Sequence, residues 1–372
     1  MSDILLAGDL YVGRGFHPAV DEPVRALIAA ARHALVNLEA PVTETKERIP
    51  KTGPHLTMPA TALDHVRDVG FTGVTLANNH ILDADLIGLA DTVRLADERG
   101  LLTVGASVQA GGSRVAARAR LPLDQGALTV LNYCEHEWSV RPDGSGASGW
   151  DVLAAFSAIQ EARQDGDRVL VVLHGGNEYY PLPRPGLRQE LRFLADNGAD
   201  AVAMHHSHVA AAYEVWHDVP IFYGLGNFQF TLVSPHVGWY EGLLVSLAFP
   251  ADGPAAFDLH PIRQSRAFDV SLATGDEHLE ALRALEGYRI QVGSDGAVLA
   301  RWEEFTRSTA GLVAQAITPT SRLRPRRLRR LVQIATSRRL LRDDEARRAL
   351  LNYVRCESHR EALEASLEAR TP

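Results

Sequence analysis

Short apolar runs rich in β-forming residues alternate with longer helical patterns through the first two-thirds of the chain. The apolar runs cover residues 4–7, 34–38, 74–77, 101–104, 169–173 and 199–204. The helical patterns between them cover residues 23–32, 60–69, 85–99, 151–164 and 187–197. Because strands that alternate with helices form parallel sheets with helices on their faces, the pattern predicts an α/β fold.

Two segments break this alternation and predict antiparallel additions to the sheet. Residues 114–121 with 127–133, and residues 242–249 with 256–262, each read as two strands joined by a glycine-containing turn. From about Ser271 onward, helical patterns replace strand patterns. We therefore expect a catalytic domain over residues 1–270 and a mainly helical, arginine-rich extension over residues 271–372.

Composition and charge narrow the class of protein. The 372-residue chain is 46% hydrophobic and 23% charged, which is typical of a globular protein, and its formal charge of −8 disfavours nucleic acid as the main partner. Cys134 and Cys356 lie too far apart to suggest a disulfide framework or a thiolate zinc site. The chain lacks a signal-peptide pattern and a run of roughly 18 apolar residues, so we expect no transmembrane segment and a cytoplasmic protein.

Residues 322–342 carry nine arginines around a leucine-rich stripe. Three interpretations stay open for this segment. It is a helix that packs on the catalytic domain with its arginines in solvent, a surface for a polyanion, or a helix that lies on a membrane surface. The oligomeric state cannot be inferred from the sequence.

Polar residues follow the carboxyl ends of five predicted strands. They are Asp9, Glu39, Asn78-Asn79-His80, His174 and His205-His206-Ser207-His208. In an α/β sheet these ends share one edge, where ligands bind. Any one of these residues alone would be read as a turn, loop or structural residue. Together, carboxylates, an amide and imidazoles predict a hydrolytic centre for one or two divalent transition metals, Mn, Fe, Zn or Ni.

Six motifs occur in an order that resembles a known family. They are Gly-Asp-Leu at 8–10, Asn-Leu-Glu-Ala-Pro at 37–41, Leu-Ala-Asn-Asn-His at 76–80 with Asp83, His-Gly-Gly-Asn-Glu-Tyr at 174–179, His-His-Ser-His-Val at 205–209 and Tyr-Gly-Leu-Gly-Asn-Phe at 223–228. Over roughly residues 2–230 the chain resembles the CapA family of bacterial capsule-synthesis proteins, which is associated with poly-γ-glutamate. That family is a branch of the calcineurin-like metallophosphoesterases. The resemblance implies a four-layer α/β/β/α sandwich with mixed sheets, followed here by an α-helical C-terminal extension.

The resemblance also implies roles for the polar residues. Glu39 would bridge two metals. Asp9 and His208 would serve one metal, and Asn79, His174 and His206 would serve the other. His80 would protonate the leaving group as the catalytic acid. The substrate-side or supporting residues would be Arg14, Asn78, Asp83, Glu178 and Asn227.

Some of these assignments have alternatives. Arg14 either grips an anionic group or is solvated at the surface, Lys51 has the same two interpretations, and Asn227 either orients a ligand histidine or caps its turn. Tyr11 stands where the wider superfamily has a histidine, so the Asp9 metal would lose one imidazole.

The predicted function is that of a metal-dependent hydrolase acting on a small or polymeric anionic substrate, with phosphoester cleavage favoured. One alternative is a γ-glutamyl amide hydrolase or acyl-transfer factor in the metabolism of poly-γ-glutamate or a related product. The other is a non-catalytic binding or assembly protein with a degenerate metal site.

Overall fold

The predicted alternation of strands and helices is present in the computed structural model, which describes residues 2–51, 53–316 and 326–343. The first elements are β1 Ile4–Tyr11, α1 Glu22–Ala29, β2 His33–Leu38, α2 Thr61–Val69, β3 Gly73–Thr75, α3 Asp85–Asp97 and β4 Leu102–Val104. The middle of the chain forms β5 Ala106–Ser107, α4 Ser113–Ala116, β6 Arg118–Pro122, β7 Ala127–Cys134, β8 Gly146–Ala147, α5 Val152–Gln164, β9 Arg168–His174, α6 Pro185–Asp196 and β10 Ala201–His205.

The remaining elements complete the sheets and add the C-terminal helices. They are β11 Tyr213–Trp216, β12 Val219–Phe222, β13 Asn227–Phe230, a 3-10 helix Val237–Tyr240, β14 Glu241–Ala248, β15 Ala256–Gln264, β16 Val270–Leu272, α7 Gly275–Val292, α8 Asp295–Ala316 and α9 Arg326–Arg342.

Two mixed sheets organise the fold. The first has the order β16-β15-β14-β1-β2-β3-β4, with β13 also pairing with β1, and the second has the order β11-β12-β10-β9-β7-β6. The centre of each sheet is parallel, whereas β14–β16 in the first and β6 and β11 in the second pair antiparallel. The prediction of mixed sheets is confirmed.

Alternation along β1 explains how the layers stack. Leu5 and Ala7 belong to the core that includes residues of α1, α2 and α3, whereas Ile4 and Leu6 belong to the core shared with the second sheet. Successive strand residues point to opposite faces, so a strand buried on both faces can join two cores. Helices α5 and α6 contact β9 and β10 of the second sheet. The result is the four-layer α/β/β/α sandwich that the motifs implied.

Local boundaries differ from the sequence prediction in two places. Residues 114–116, predicted as the start of a strand, lie in the short helix α4, and the strand begins only at Arg118. Strand β1 continues to Tyr11, so Asp9 lies inside the strand rather than after it. The pairing register of β1 shifts on both sides of Asp9, and such a bulge re-aims a side chain without ending the strand.

The C-terminal region is helical in its described parts, as predicted. The chain divides into two compact units, Met1–Leu299 and Ala300–Pro372. Helix α7 contacts β11 and β15 within the first unit, while the predicted domain boundary near residue 270 stays a prediction. The arginine-rich segment includes α9, and residues 322–325 of that segment lie outside the described residues. In the described part of the chain, the helices are too short or too polar to cross a membrane.

Candidate metal centre

The strand ends of both sheets meet at one place and carry the predicted ligands. Asp9 lies in β1, Glu39 directly follows β2, and His174 ends β9. Their carboxylate and imidazole atoms lie within 4.8 Å of one another. All three side chains are buried, which brings two carboxylates close together away from water. Such a group is costly unless a cation or protons compensate its charge.

Asn37 holds the two carboxylates in place. Its side-chain nitrogen donates hydrogen bonds to Asp9 Oδ1 at 2.7 Å and to Glu39 Oε2 at 2.6 Å. The other oxygen, Glu39 Oε1, is buried and has no hydrogen-bond partner within the described part of the chain. An unsatisfied buried carboxylate oxygen at this point fits a metal ligand, because a bound cation would satisfy it.

Three donor atoms lie close to His174 Nε2, which is the fourth predicted donor. Asn79 Oδ1 and His206 Nδ1 each lie 3.1 Å from this nitrogen, and Glu39 Oε1 lies 3.8 Å from it. Two ligands bound at about 2.1 Å to one tetrahedral ion are roughly 3.4 Å apart. Three of the four donor atoms predicted for one metal therefore lie at or near a ligand-to-ligand distance from the fourth, and their assignment to a single cation stays a prediction. We refer to Glu39, Asn79, His174 and His206 as the four-donor half.

The other half of the centre contains Asp9 and His208. His208 Nδ1 lies 3.3 Å from Asp9 Oδ2 and 2.9 Å from Asn227 Oδ1. Asn227 donates its amide hydrogen to the carbonyl oxygen of Trp239 at 3.0 Å, which fixes its oxygen toward His208. The second imidazole nitrogen, His208 Nε2, lies 4.0 Å from Glu39 Oε1 and is the nitrogen available to a metal.

Tyr11 supplies no imidazole to this second half. Its hydroxyl group lies 3.5 Å from the carbonyl oxygen of Thr57, and its ring packs against Phe230 at a centroid distance of 5.2 Å. We refer to Asp9 and His208, which share Glu39 with the other half, as the two-donor half.

The electrostatics of the centre match a site built around positive charge. Burial raises the pKa of Asp9, but the hydrogen bond and charge of His208 outweigh burial and hold that pKa well below its usual value. Burial and the neighbouring Asp9 charge raise the pKa of Glu39. Burial lowers the pKa of His208, but Asp9 and Glu39 outweigh it and raise the pKa to about 9. A metal bound here would therefore displace protons from its ligands.

Burial keeps the other two imidazoles neutral. It lowers the pKa of His174, and the charge of His206 lowers it further. Burial and the charge of His208 likewise lower the pKa of His206. Neutral imidazole is the form that binds transition metals, so both side chains are in the state that the site needs.

The backbone after β10 is also unusual. His206 has a φ of 90° and His208 a φ of 54°, both in the left-handed region that disfavours side chains other than glycine. Strained residues of this kind persist where the surroundings force them and are common at functional sites. In this segment the His206 imidazole lies against His174 and the His208 imidazole lies against Asp9.

His80 stands next to the ligand Asn79, with one nitrogen engaged. Its Nδ1 lies 2.7 Å from Asp83 Oδ2 and 3.1 Å from Lys51 Nζ, and Lys51 also forms an ion pair with Asp83. Both Lys51 and Asp83 are buried in this arrangement, so Lys51 has neither of the two roles that the sequence suggested. The arrangement leaves His80 Nε2 as the nitrogen that can face a substrate.

The other predicted supporting residues differ in their surroundings. The Asn78 side chain donates to Asn37 Oδ1 at 3.2 Å and accepts from the backbone nitrogen of His80, which ties two motifs together. Arg14 is exposed and forms a salt bridge with Glu44. Glu178 is exposed. Its negative charge acts to raise the pKa of both Glu39 and His206.

Sequence reasoning assigned no role to three residues of the centre, Asn37, His205 and Glu137. His205 Nδ1 lies 3.4 Å from Asp9 Oδ1, and Glu137 Oε2 accepts a hydrogen bond from Asn79 at 3.3 Å. Asn37 could have been found, because it lies two residues before Glu39 and alternate residues of a strand share a face. Glu137 follows β7, which is parallel to β9, but the sequence reading treated this strand only as one arm of a hairpin.

Comparison with known proteins agrees with the motifs. Residues 3–232 match the profile of the family described as "Bacterial capsule synthesis protein PGA_cap". A "PGA biosynthesis protein CapA" of Bacillus subtilis is 27% identical over 277 residues, which cover 70% of this chain and 72% of that protein. A "Capsule biosynthesis protein CapA" of Bacillus anthracis is 27% identical over 283 residues, covering 69% of this chain and 66% of that protein.

Similarity to solved structures is weaker. A hypothetical protein of Thermus thermophilus has a TM-score of 0.45 at 14% identity, covering 70% of this chain and 99% of that chain. A putative 5'-nucleotidase of Staphylococcus aureus has a TM-score of 0.47 at 13% identity, covering 76% and 58% of the two chains. The family profile, by contrast, matches more than half of the chain. The chain therefore belongs to the family of bacterial capsule synthesis proteins, PGA_cap, in agreement with the CapA-like order of its motifs.

Proposed function

We propose that this protein is a metal-dependent hydrolase of an anionic substrate, with phosphoester cleavage as the leading reaction. The observation that carries the proposal is the convergence of Glu39 Oε1, Asn79 Oδ1 and His206 Nδ1 within 3.1 to 3.8 Å of His174 Nε2. Mixed imidazole and oxygen ligation favours Mn, Fe, Zn or Ni over Ca. The relation of the motifs to metallophosphoesterases favours phosphoesters.

Different residues of the centre would bind the two metals. Glu39 would serve both halves, with Asn79, His174 and His206 on one side and Asp9 and His208 on the other. A divalent cation held here would polarise a substrate oxygen and lower the pKa of a bound water. Asn37 keeps the carboxylates of Asp9 and Glu39 at fixed positions by donating to both.

His80 would act as the general acid in this proposal. Nδ1 of His80 lies 2.7 Å from Asp83 Oδ2 and 3.1 Å from Lys51 Nζ, and these contacts fix the ring. The ion pair between Lys51 and Asp83 holds that carboxylate in turn. A positioned imidazole can donate a proton near neutral pH, and Nε2 would give its proton to the leaving-group oxygen.

A second candidate reaction is hydrolysis or transfer at γ-glutamyl amide bonds. The observation that favours it is the name of the Bacillus subtilis relative, "PGA biosynthesis protein CapA", together with the family description. A water activated by a metal can attack a carbonyl carbon as well as phosphorus, so the ligand set fits both reactions. An anionic polymer would then be the substrate.

The test is incubation of metal-loaded protein with a panel of phosphomonoesters, phosphodiesters and γ-glutamyl peptides. We expect phosphoester turnover that is lost in Glu39→Gln and His80→Ala, while Glu98→Gln, at an exposed ion pair on α3, stays active. Turnover of γ-glutamyl peptides alone would replace the leading reaction with the second. Inertness toward the whole panel, with full metal loading, would favour a non-catalytic binding or assembly role.

A further inference from the structure

A cavity of about 370 Å³ lies between α7 and the strands β14 and β15, outside the metal centre. Tyr179 and His236 stack at a centroid distance of 4.9 Å and line one side of it. Trp239, which packs on the ligand His208 at 4.8 Å, lies 6.1 Å from Tyr179. An aromatic wall therefore separates the cavity from the metal centre. Its volume is within the range of pockets that hold small molecules, about 300 to 1,000 Å³.

Part of the lining of this cavity is apolar, and the space is open because α7 presents small side chains there. Ala281 and Ala284 line it from the helix, and Val209, Ile262 and Leu285 form buried apolar walls. A larger residue at either alanine would fill the space, whereas alanine leaves room for an aliphatic group of a ligand. Removal of such a group from water would stabilise a complex.

The charged part of the lining is acidic. Glu241, Glu277 and Glu280 line the cavity together with one guanidinium group, that of Arg263. Arg263 is shared between Glu277 at 2.5 Å and Glu241 at 3.3 Å. Three carboxylates facing one guanidinium leave an excess of negative charge. The potential of the cavity therefore favours a cation and disfavours an anion.

The aromatic side chains that line the cavity also favour a cation. Tyr179 and Tyr288 both line the cavity, and the faces of aromatic rings attract ammonium and guanidinium groups. Carboxylates, tyrosine rings and aliphatic walls in one cavity are complementary to a positively charged head on an apolar chain. The metal centre across the aromatic wall has a different ligand chemistry, since its buried imidazoles and carboxylates suit a metal ion.

We propose that this cavity, named here the α7 cavity, is a binding site for a small organic cation, a primary ammonium or guanidinium group on a short aliphatic chain. The site is separate from the metal centre. Its occupation does not depend on the hydrolase activity proposed above, so failure of either proposal leaves the other intact.

The test compares three ligands of equal shape and different charge on the full-length protein. Pentylamine, pentan-1-ol and pentanoate are titrated by isothermal titration calorimetry at low ionic strength. We expect pentylamine to bind at least about tenfold more tightly than the alcohol, because each exposed carboxylate adds a modest attraction. Pentanoate should show no saturable binding, and added salt should weaken the binding of the amine.

Substitutions locate the site. The double substitution Glu277→Gln with Glu280→Gln should bring the amine affinity to within about twofold of the alcohol affinity. Glu286→Gln is the matched control, because Glu286 lies on the same helix and pairs with Arg289 outside the cavity. It should leave amine binding unchanged. Ala284→Trp should abolish binding of both amine and alcohol, because the indole ring would fill the interior.

Three results would overturn the proposal. They are the absence of saturable pentylamine binding, equal affinities for amine and alcohol, and amine binding that survives both the double glutamine substitution and Ala284→Trp. The glutamate positions are exposed, so these variants should fold. Their melting temperatures provide the check that a loss of binding is local.

Discussion

The two halves of the metal centre share Glu39 but differ in the number of donor atoms that they supply. In the four-donor half, Asn79 Oδ1, His206 Nδ1 and Glu39 Oε1 lie 3.1 to 3.8 Å from His174 Nε2. In the two-donor half, Asp9 and His208 join Glu39, and Tyr11 is turned toward Thr57. A cation gains affinity from each ligand that a rigid site provides. The difference therefore predicts one tightly held metal and one weakly held metal.

The largest effect should follow from substitution of the shared ligand. Glu39→Gln removes the charge that both halves use, so we expect the affinity for both metals to fall by at least roughly 100-fold. Elemental analysis of protein purified without chelator would measure this as near-complete loss of metal. Glu98→Gln, at an exposed ion pair with Arg94, should keep its metal content. Retention of metal in the Glu39 variant would show that Glu39 is not a ligand shared by the two halves.

The next largest effect should distinguish the two halves of the metal centre by their loss of metal. We expect His206→Ala to lose the tightly held metal, whereas His208→Ala should keep about one metal per chain, because His208 serves only the two-donor half. Metal content and competitive titration with a chelator would measure both. The control is His217→Ala, at an exposed histidine that pairs with Asp196. Equal losses in the His206 and His208 variants would mean that the two halves do not differ.

A smaller effect should come from Asn227. Asn227→Ala removes the acceptor that orients His208, and loss of such a supporting hydrogen bond lowers metal affinity by about 10-fold or more. The loss should be confined to the weakly held metal, as measured by titration with one and two equivalents. Asn197→Ala, which deletes an amide at the end of α6, controls for amide removal. If the tightly held metal is weakened instead, Asn227 supports the four-donor half and the assignment made here is wrong.

The smallest effect should be an increase in the affinity for the weakly held metal. The Tyr11 ring packs on Phe230, which also contacts the ring of His208 at 5.1 Å, so Tyr11→His should add an imidazole near the two-donor half. We expect the weakly held metal to bind roughly three- to tenfold more tightly. Tyr11→Phe keeps the aromatic ring and should show no gain. If the histidine variant also shows none, another group limits the two-donor half.

Periodic patterns in the sequence predicted a mixed α/β fold, whereas the four layers and the ligand roles were implied by the resemblance of the motifs to the CapA family. Apolar runs separated by helices indicate parallel strands, and polar residues at the carboxyl ends of these strands meet at one edge. The bulge at Asp9 was not predictable, because it depends on simultaneous pairing of β1 with β2 and β13, which are far apart in sequence. Helix α4 was missed because Arg114 to Ala116 continues the apolar pattern of β6.

The supporting residues were harder to predict than the ligands. The burial of Lys51 against Asp83 and His80 depends on where a loop of irregular structure returns to the site, and no periodic signal describes such a path. The α7 cavity arises where a C-terminal helix lies over β14 and β15, and its lining residues are spread from Tyr179 to Tyr288. Contacts of this range follow from the tertiary fold and not from local patterns.

The central claim is that Glu39, Asn79, His174 and His206 bind one divalent metal. The most direct test is anomalous diffraction from crystals of the metal-loaded protein, measured at the absorption edge of the metal. We expect a strong anomalous peak about 2.0 to 2.2 Å from Asn79 Oδ1, His174 Nε2, His206 Nδ1 and an oxygen of Glu39, with a weaker peak beside Asp9 and His208. A fully loaded protein whose strongest peak lies away from these four residues would contradict the claim.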